Sequence, residues 1–177
     1  LQPVGLGLFG NQKILGDIHD VMGDYSQAMD YYNHAIKRFD SLEMHDLLSH
    51  TYMAMGVTYL HVGDYTRALD FNQKALQIAE KQDVRENVPA CYTNIGIIHR
   101  NRGNYQQALQ YYQKSLEGFR KLNQPGNVAR AYTNIGLVHT NMNQYDRALE
   151  YFKKALDQAE NPRGNQGLAF IKGNMAM

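Results

Sequence analysis

Shifted against itself by forty residues, the sequence repeats, and it does so four times without a gap. Gly23, Asp24, Tyr25 and Ala28 return as Gly63, Asp64, Tyr65 and Ala68, then as Gly103, Asn104, Tyr105 and Ala108. The fourth copy reads Asn143, Gln144, Tyr145 and Ala148. A second glycine keeps the same register as Gly16, Gly56, Gly96 and Gly136. A chain built this way folds as an array, because each copy must find its packing partner in the next.

Each copy reads as two helices. In the third, Ala108, Leu109, Tyr112, Leu116 and Phe119 recur at three- and four-residue steps, the period of a helix with one apolar face. Asp24, Asp64 and Asn104 stand where an N-cap is wanted. Gly23, Gly63 and Gly103 precede them, where the foregoing helix must end in a left-handed conformation, and Asn143 is the next-best residue for that place. The earlier helix carries Tyr92, Ile95, Gly96 and His99, or Tyr132, Ile135, Gly136 and His139. No alternating strand pattern competes. Gly96 and Ala108 allow the two backbones to approach closely, with Tyr92 and Tyr112 around them. One hairpin cannot bury its apolar face alone, whereas stacked hairpins form an open superhelix with a concave side.

The totals narrow the function. Lys plus Arg is 18 against 17 Asp plus Glu, a balance with no general attraction to nucleic acid or to an anionic membrane. No apolar run approaches the roughly 18 residues of a membrane span. The single cysteine, Cys91, excludes an intrachain disulfide framework and fits a reducing, cytoplasmic setting. The opening residues lack the basic start and cleavage site of a signal peptide, and with no initiator Met the chain reads as a processed product or a fragment.

These residues resemble the tetratricopeptide repeat family. The third copy supplies Tyr92, Ile95, Gly96, His99, Ala108, Tyr112 and Ser115 to its pattern, and the fourth Tyr132, Ile135, Gly136, His139, Ala148, Phe152 and Ala155. The resemblance implies an all-α fold, a right-handed superhelical solenoid of antiparallel helix pairs, as one domain over 1–177. The repeats then run over about 10–45, 46–85, 86–125 and 126–163, with 164–177 as a partial fifth repeat or a capping helix. The family period is about 34 residues, so forty is a departure, worth roughly 9 Å of extra helix per copy. It is similar to the longer-helix variety of Pins/LGN-type adaptors, kinesin light chains and bacterial signalling proteins. At the far end Gly164, Asn165, Ala169 and Phe170 echo Gly126, Asn127, Ala131 and Tyr132, a fifth first-helix without its partner, which favours truncation over a cap.

The resemblance also implies which positions line the concave groove. The third copy offers Ala90, Thr93, Asn94, Ile97, Arg100 and Asn101, and the fourth Arg130, Thr133, Asn134, Leu137, Thr140 and Asn141. An amide side chain both donates and accepts, so Asn94 and Asn134 suit the peptide units of an extended ligand, the alternative being two solvated surface residues. Arg100 and Arg130 favour acidic side chains or a carboxylate. The first two copies break this ladder with Ile14 and Ala54, and their groove, with Lys13, Asp17, Asp20, His50, Met53, Val57, Leu60 and His61, is more apolar and mixed in charge. Met53 is expected as an adaptable anchor there. The family's clamp for acidic chaperone tails is rejected, because Asp17, Ala54 and Ala90 occupy its amide and lysine places.

The remaining suggestive residues have structural readings. His19, His99 and His139 share a position with Tyr59, so that place wants a ring with a polar tip and no metal is expected. Cys91 is structural, the glycines follow the repeat and form no phosphate loop, and the aromatics are core. No catalytic residue and no cofactor is expected. The resulting expectation is a scaffold that holds a segment of a partner protein through Asn94, Asn134, Arg130, Arg100, Asn101, Asn141, Thr93, Thr133, Met53 and His50. A rival is the regulatory region of a larger enzyme, a histidine kinase or caspase-like protease, acting in cis. A third reading is end-to-end self-association through Leu168, Ala169, Phe170 and Ile171.

Overall fold

A computed structural model of the chain describes residues 6–160, with side chains from 11 to 159. Among the described residues there are eight helices and no strand. They are α1 (Leu6–Val21), α2 (Tyr25–Ser41), α3 (His45–His61), α4 (Tyr65–Lys81), α5 (Val88–Asn101), α6 (Tyr105–Lys121), α7 (Pro125–Asn141) and α8 (Tyr145–Glu160). The expected fifth first-helix over 164–177, with Leu168, Ala169, Phe170 and Ile171, lies outside the described residues. No described helix is long and apolar enough to cross a membrane.

The forty-residue period has a simple physical content. α6 and α7 are each 17 residues long and only residues 122–124 separate them. Each such helix is about 25 Å long at the α-helical rise. The turn inside each hairpin is set by the residue expected to be left-handed. Gly23, Gly63 and Gly103 have φ of 80°, 78° and 77°, and Asn143 adopts 58°. The carboxylates of Asp24 and Asp64 accept from the backbone N–H of Gln27 and Arg67 at 3.2 and 2.9 Å, which caps α2 and α4. Among the described residues the turns between hairpins use a left-handed residue too, and none of the three is glycine. Glu43, Asp83 and Asn123 take φ of 52°, 55° and 52°.

The residues fall into two compact units, 1–94 and 95–177, whose boundary lies inside α5. In the first, α1 packs on α2, α2 on α3 and α3 on α4. Tyr32 and Ala28 meet Met55, Phe39 and Ala35 meet Leu48, and Ala75 meets Met53 and Cys91. Each large apolar side chain buried in this way contributes about 1.5–3 kcal/mol. Polar bonds fix the spacing: Ser49 Oγ donates to the carbonyl of Ala75 at 3.0 Å, and Asn87 Nδ2 to the carboxylate of Asp46 at 2.9 Å. In the second unit α6 packs on α7 and α7 on α8, around Tyr112, Leu116, Val128, Ile135, Val138 and Phe152. The guanidinium of Arg120 reaches the hydroxyl of Tyr132 and lies 5.5 Å from its ring.

The recurrent glycine of the first helix is a socket for a ring of the second. A Cβ on Gly96 would lie 2.7 Å from the ring of Tyr112, and one on Gly136 2.6 Å from that of Phe152. Gly16 receives Tyr32 in the same manner. At Gly56 the socket holds Asn72, whose Nδ2 donates to the carbonyl of Ala68 at 2.9 Å. Its Oδ1 is buried and accepts no hydrogen bond.

Candidate ligand-binding surface

The histidine position resolves first, because it is the one that mimics a chemical site. His19, Tyr59, His99 and His139 stack on Tyr31, Phe71, Tyr111 and Tyr151, with ring centroids 5.2, 5.3, 5.3 and 5.3 Å apart. In three hairpins a lysine ammonium approaches the second ring: Lys74 at 4.8 Å from Phe71, Lys114 at 5.4 Å from Tyr111 and Lys154 at 4.8 Å from Tyr151. Nδ1 of His139 bonds to Oε1 of Gln144 at 2.8 Å, and the Tyr59 hydroxyl accepts from Arg67 at 3.5 Å. Burial, and then the charge of Arg102, hold the His99 pKa below its ordinary value. These rings are engaged with aromatic partners inside their own hairpins. Among the described residues no three His, Cys, Asp or Glu side chains are grouped to hold a metal ion.

Cys91 is buried against Met53 and Ala75, and burial pushes its thiol up to about 12. It carries no thiolate at neutral pH and packs as a small apolar side chain.

Two expected groove residues are corrected by their burial. Met53 belongs to the core with Ala75 and Cys91, on the side of α3 that meets its neighbours. Thr133 is fully buried and its hydroxyl donates to the carbonyl of Ala129 at 3.0 Å, so it satisfies its own helix and presents nothing to a ligand. Thr93 is half-buried and makes the equivalent bond to the carbonyl of Pro89 at 3.1 Å. His50 is exposed, 3.7 Å from the carboxylate of Asp46 one turn earlier.

The remaining positions differ between the units. In the first, the first-helix polar groups hold one another. Lys13 pairs with Asp17 at 2.6 Å, the Tyr32 hydroxyl donates to the same carboxylate at 3.0 Å, and Asp20 lies 3.2 Å from His61. Burial first, and the Asp17 charge second, raise the pKa of Tyr32, so it remains a donor. Asn94, the last residue of this unit, is half-buried. In the second unit, Arg130 is exposed on α7 and Asn134 is half-buried one turn further along. Among the described residues, neither these two side chains nor Asn94 form a hydrogen bond or ion pair within the chain. Arg100 is half-buried and donates to Oδ1 of the exposed Asn101 at 3.4 Å, and Asn141 is exposed. The Asp17–Tyr32 and Asp20–His61 bonds had no signal in any one copy, since each joins positions that differ from copy to copy. Asn72 did have one: it stands where the other copies carry Tyr32, Tyr112 and Phe152.

The family model described as tetratricopeptide repeat matches residues 12–81 and 87–161. No curated protein matches the sequence. Among solved structures the chain is similar to BtubC (BKLC) from P. vanneervenii, at 24% identity and a TM-score of 0.79, over 96% of this chain and 74% of that one. It is similar to aspartyl phosphate phosphatase F from Bacillus subtilis, at 20% identity and 0.82, over 94% and 45%. A Rap protein complexed with competence and sporulation factor matches at 17% identity and 0.81, over 92% and 46%. At these identities the likeness establishes the fold. The chain spans less than half the length of the last two.

Proposed function

Since the chain belongs to the tetratricopeptide repeat family, we propose that it is a protein-interaction scaffold whose second unit binds an extended, acidic segment of a partner protein along α5 and α7. The observation that carries this reading is the pair on α7. Asn134 and Arg130 sit one turn apart, both accessible, and among the described residues neither is engaged within the chain, while Thr133 beside them is turned inward. An amide can bracket a peptide unit with one donor and one acceptor, and a guanidinium takes a carboxylate in a two-pronged geometry. Arg100, Asn101 and Asn141 extend the same chemistry, with no carboxylate among these five side chains. The similarly folded Rap protein is complexed with competence and sporulation factor, which agrees with a binding role for arrays of this shape. A signalling role in a reducing cytoplasm is part of the same proposal, and the buried thiol of Cys91 is compatible with it.

The test is a panel of labelled extended peptides of equal length, acidic, basic and uncharged, titrated by fluorescence anisotropy. Acidic peptides should bind most tightly and lose affinity as salt is added. Arg130→Ala and Asn134→Ala should each weaken binding by about tenfold while helicity is unchanged, as expected when a charge-assisted or bidentate contact is removed. Equal affinity for all three peptide classes, or variants that bind as wild type does, would overturn the proposal.

A further inference from the structure

The hydroxyl of Tyr112 is a buried donor without an acceptor, and the first unit contains the kind of group it lacks. Tyr32 and Tyr112 enter their glycine sockets in the same pose. A Cβ on Gly16 would lie 2.5 and 2.6 Å from Cε1 and Cδ1 of Tyr32, and one on Gly96 2.7 and 2.8 Å from the same atoms of Tyr112. Each hydroxyl is thereby aimed at the residue that follows the glycine. In the first unit that residue is Asp17, whose carboxylate accepts from Tyr32 at 3.0 Å and pairs with Lys13 at 2.6 Å. The Asp17 side chain is nevertheless 42% exposed, so a carboxylate can hold this hydroxyl while remaining in contact with solvent.

The second unit keeps the donor and loses the carboxylate. Ile97 stands in the place of Asp17, and Arg100, one turn further along the same face, in the place of Asp20. Burial pushes the Tyr112 pKa up to about 12, and the charge of Arg100 pulls against that rise, which brings the guanidinium within electrostatic reach of the hydroxyl. Among the described residues Arg100 has no carboxylate partner, only the bond at 3.4 Å to Oδ1 of Asn101. Packing does not require the hydroxyl, since Phe152 fills the same socket on Gly136 with its ring alone. A buried hydroxyl without a partner costs free energy. Here a cation that also lacks a carboxylate stands beside it.

We infer that an aspartate or glutamate side chain of the partner segment completes this arrangement: its carboxylate takes the place that Asp17 holds in the first unit, accepting from the Tyr112 hydroxyl and pairing with Arg100. Such a contact rests on the proposed binding of an acidic segment along the same unit, and it fixes where one of the acids is held. Tyr112, Ile97 and Arg100 all belong to the second unit. The half-buried Ile97 side chain turns aside as the carboxylate enters. The first unit takes no such ligand, because Asp17 fills the place from within.

Two extended peptides isolate the carboxylate. Both are capped at each terminus and uncharged, except that one carries a central Glu where the other has Gln. By fluorescence anisotropy the wild type should bind the Glu peptide about tenfold more tightly, as for a charge-assisted contact. Tyr112→Phe and Arg100→Ala should each remove most of that difference and leave the affinity for the Gln peptide unchanged. Tyr112→Phe retains the ring that Phe152 already uses, so its helicity should match the wild type. Ile97→Asp reads the geometry with no ligand present. It supplies the carboxylate from within, so it should lower the urea midpoint less in the wild-type background than in the Tyr112→Phe background. Equal wild-type affinity for the two peptides overturns the proposal. So does a Tyr112→Phe variant that discriminates as the wild type does, and so does the same midpoint change in both backgrounds. Arg130→Ala and Asn134→Ala, titrated with the acidic peptides of the panel, test the scaffold itself: if they weaken binding and Tyr112→Phe does not, the scaffold stands and only this carboxylate site falls.

Discussion

Tyr32 in the first unit and Tyr112 in the second occupy the same repeat position, fill the same glycine socket and are both buried, yet their hydroxyls have different fates. That of Tyr32 donates to Asp17 at 3.0 Å, and Asp17 in turn holds Lys13. That of Tyr112 is buried and makes no hydrogen bond, because Ile97 stands where the first copy has Asp17. Burial pushes its pKa up to about 12, so it stays a neutral phenol. The contrast extends along the first helices of each unit. The first unit uses its charged groups to brace itself, whereas Arg130 and Asn134 in the second are left to the outside. The ring in the glycine socket belongs to the scaffold, and what surrounds its hydroxyl belongs to the individual unit.

Removing the ring is expected to erase this difference, since the socket is common to both. Tyr32→Ala and Tyr112→Ala should each cost about 3–5 kcal/mol, the range for deleting a buried aromatic, measured by urea unfolding followed through helix circular dichroism. Removing only the hydroxyl should bring the difference out. Tyr32→Phe loses a bond to an ionised carboxylate and should cost about 1–2 kcal/mol. Tyr112→Phe takes away a buried hydroxyl that has no partner and should leave stability unchanged or raise it by up to about 1 kcal/mol. Equal losses in the two phenylalanine variants would mean that the Tyr112 hydroxyl is satisfied in solution, and the contrast between the units would fail at this position.

What was legible in the sequence is what the repeat enforces locally. The glycine at the turn, the aspartate that caps the next helix and the small residues at the close approach are each fixed by backbone geometry, so Gly63, Asp64 and Gly96 can be read one at a time. The left-handed Glu43, Asp83 and Asn123 were not legible, because no single residue type marks that turn. Burial around the full circumference of a helix was the harder matter. Counting positions puts Met53 and Thr133 in a groove, but these helices meet neighbours on more than one side, and their inward-facing surface is narrower than the count implies. Arg130 is exposed and Asn134 half-buried. Side chains that pair across hairpins, such as Asp20 with His61, depend on positions forty-one residues apart that change from copy to copy, and no periodicity reveals them.

The smallest expected effect concerns the ring position and separates His99 from Tyr59. Both stack on an aromatic of the second helix, at 5.3 Å in each case. Burial, and then Arg102, lower the pKa of His99 in the folded chain below its ordinary value. The unfolded chain therefore binds a proton there more readily, and stability must rise with pH across that interval. The contribution of neutral His99 is fully present above the ordinary histidine pKa of about 6.5 and is lost as pH falls towards the folded value. His99→Tyr installs the residue that the second copy already uses at this place. It should flatten the acid side of the stability profile. Urea midpoints for wild type and variant, measured between pH 7.5 and pH 5 (roughly the span over which histidine titrates), should separate only below about pH 6.5. Parallel profiles would show that protonation of His99 is not coupled to folding, and that the ring acts there through stacking alone.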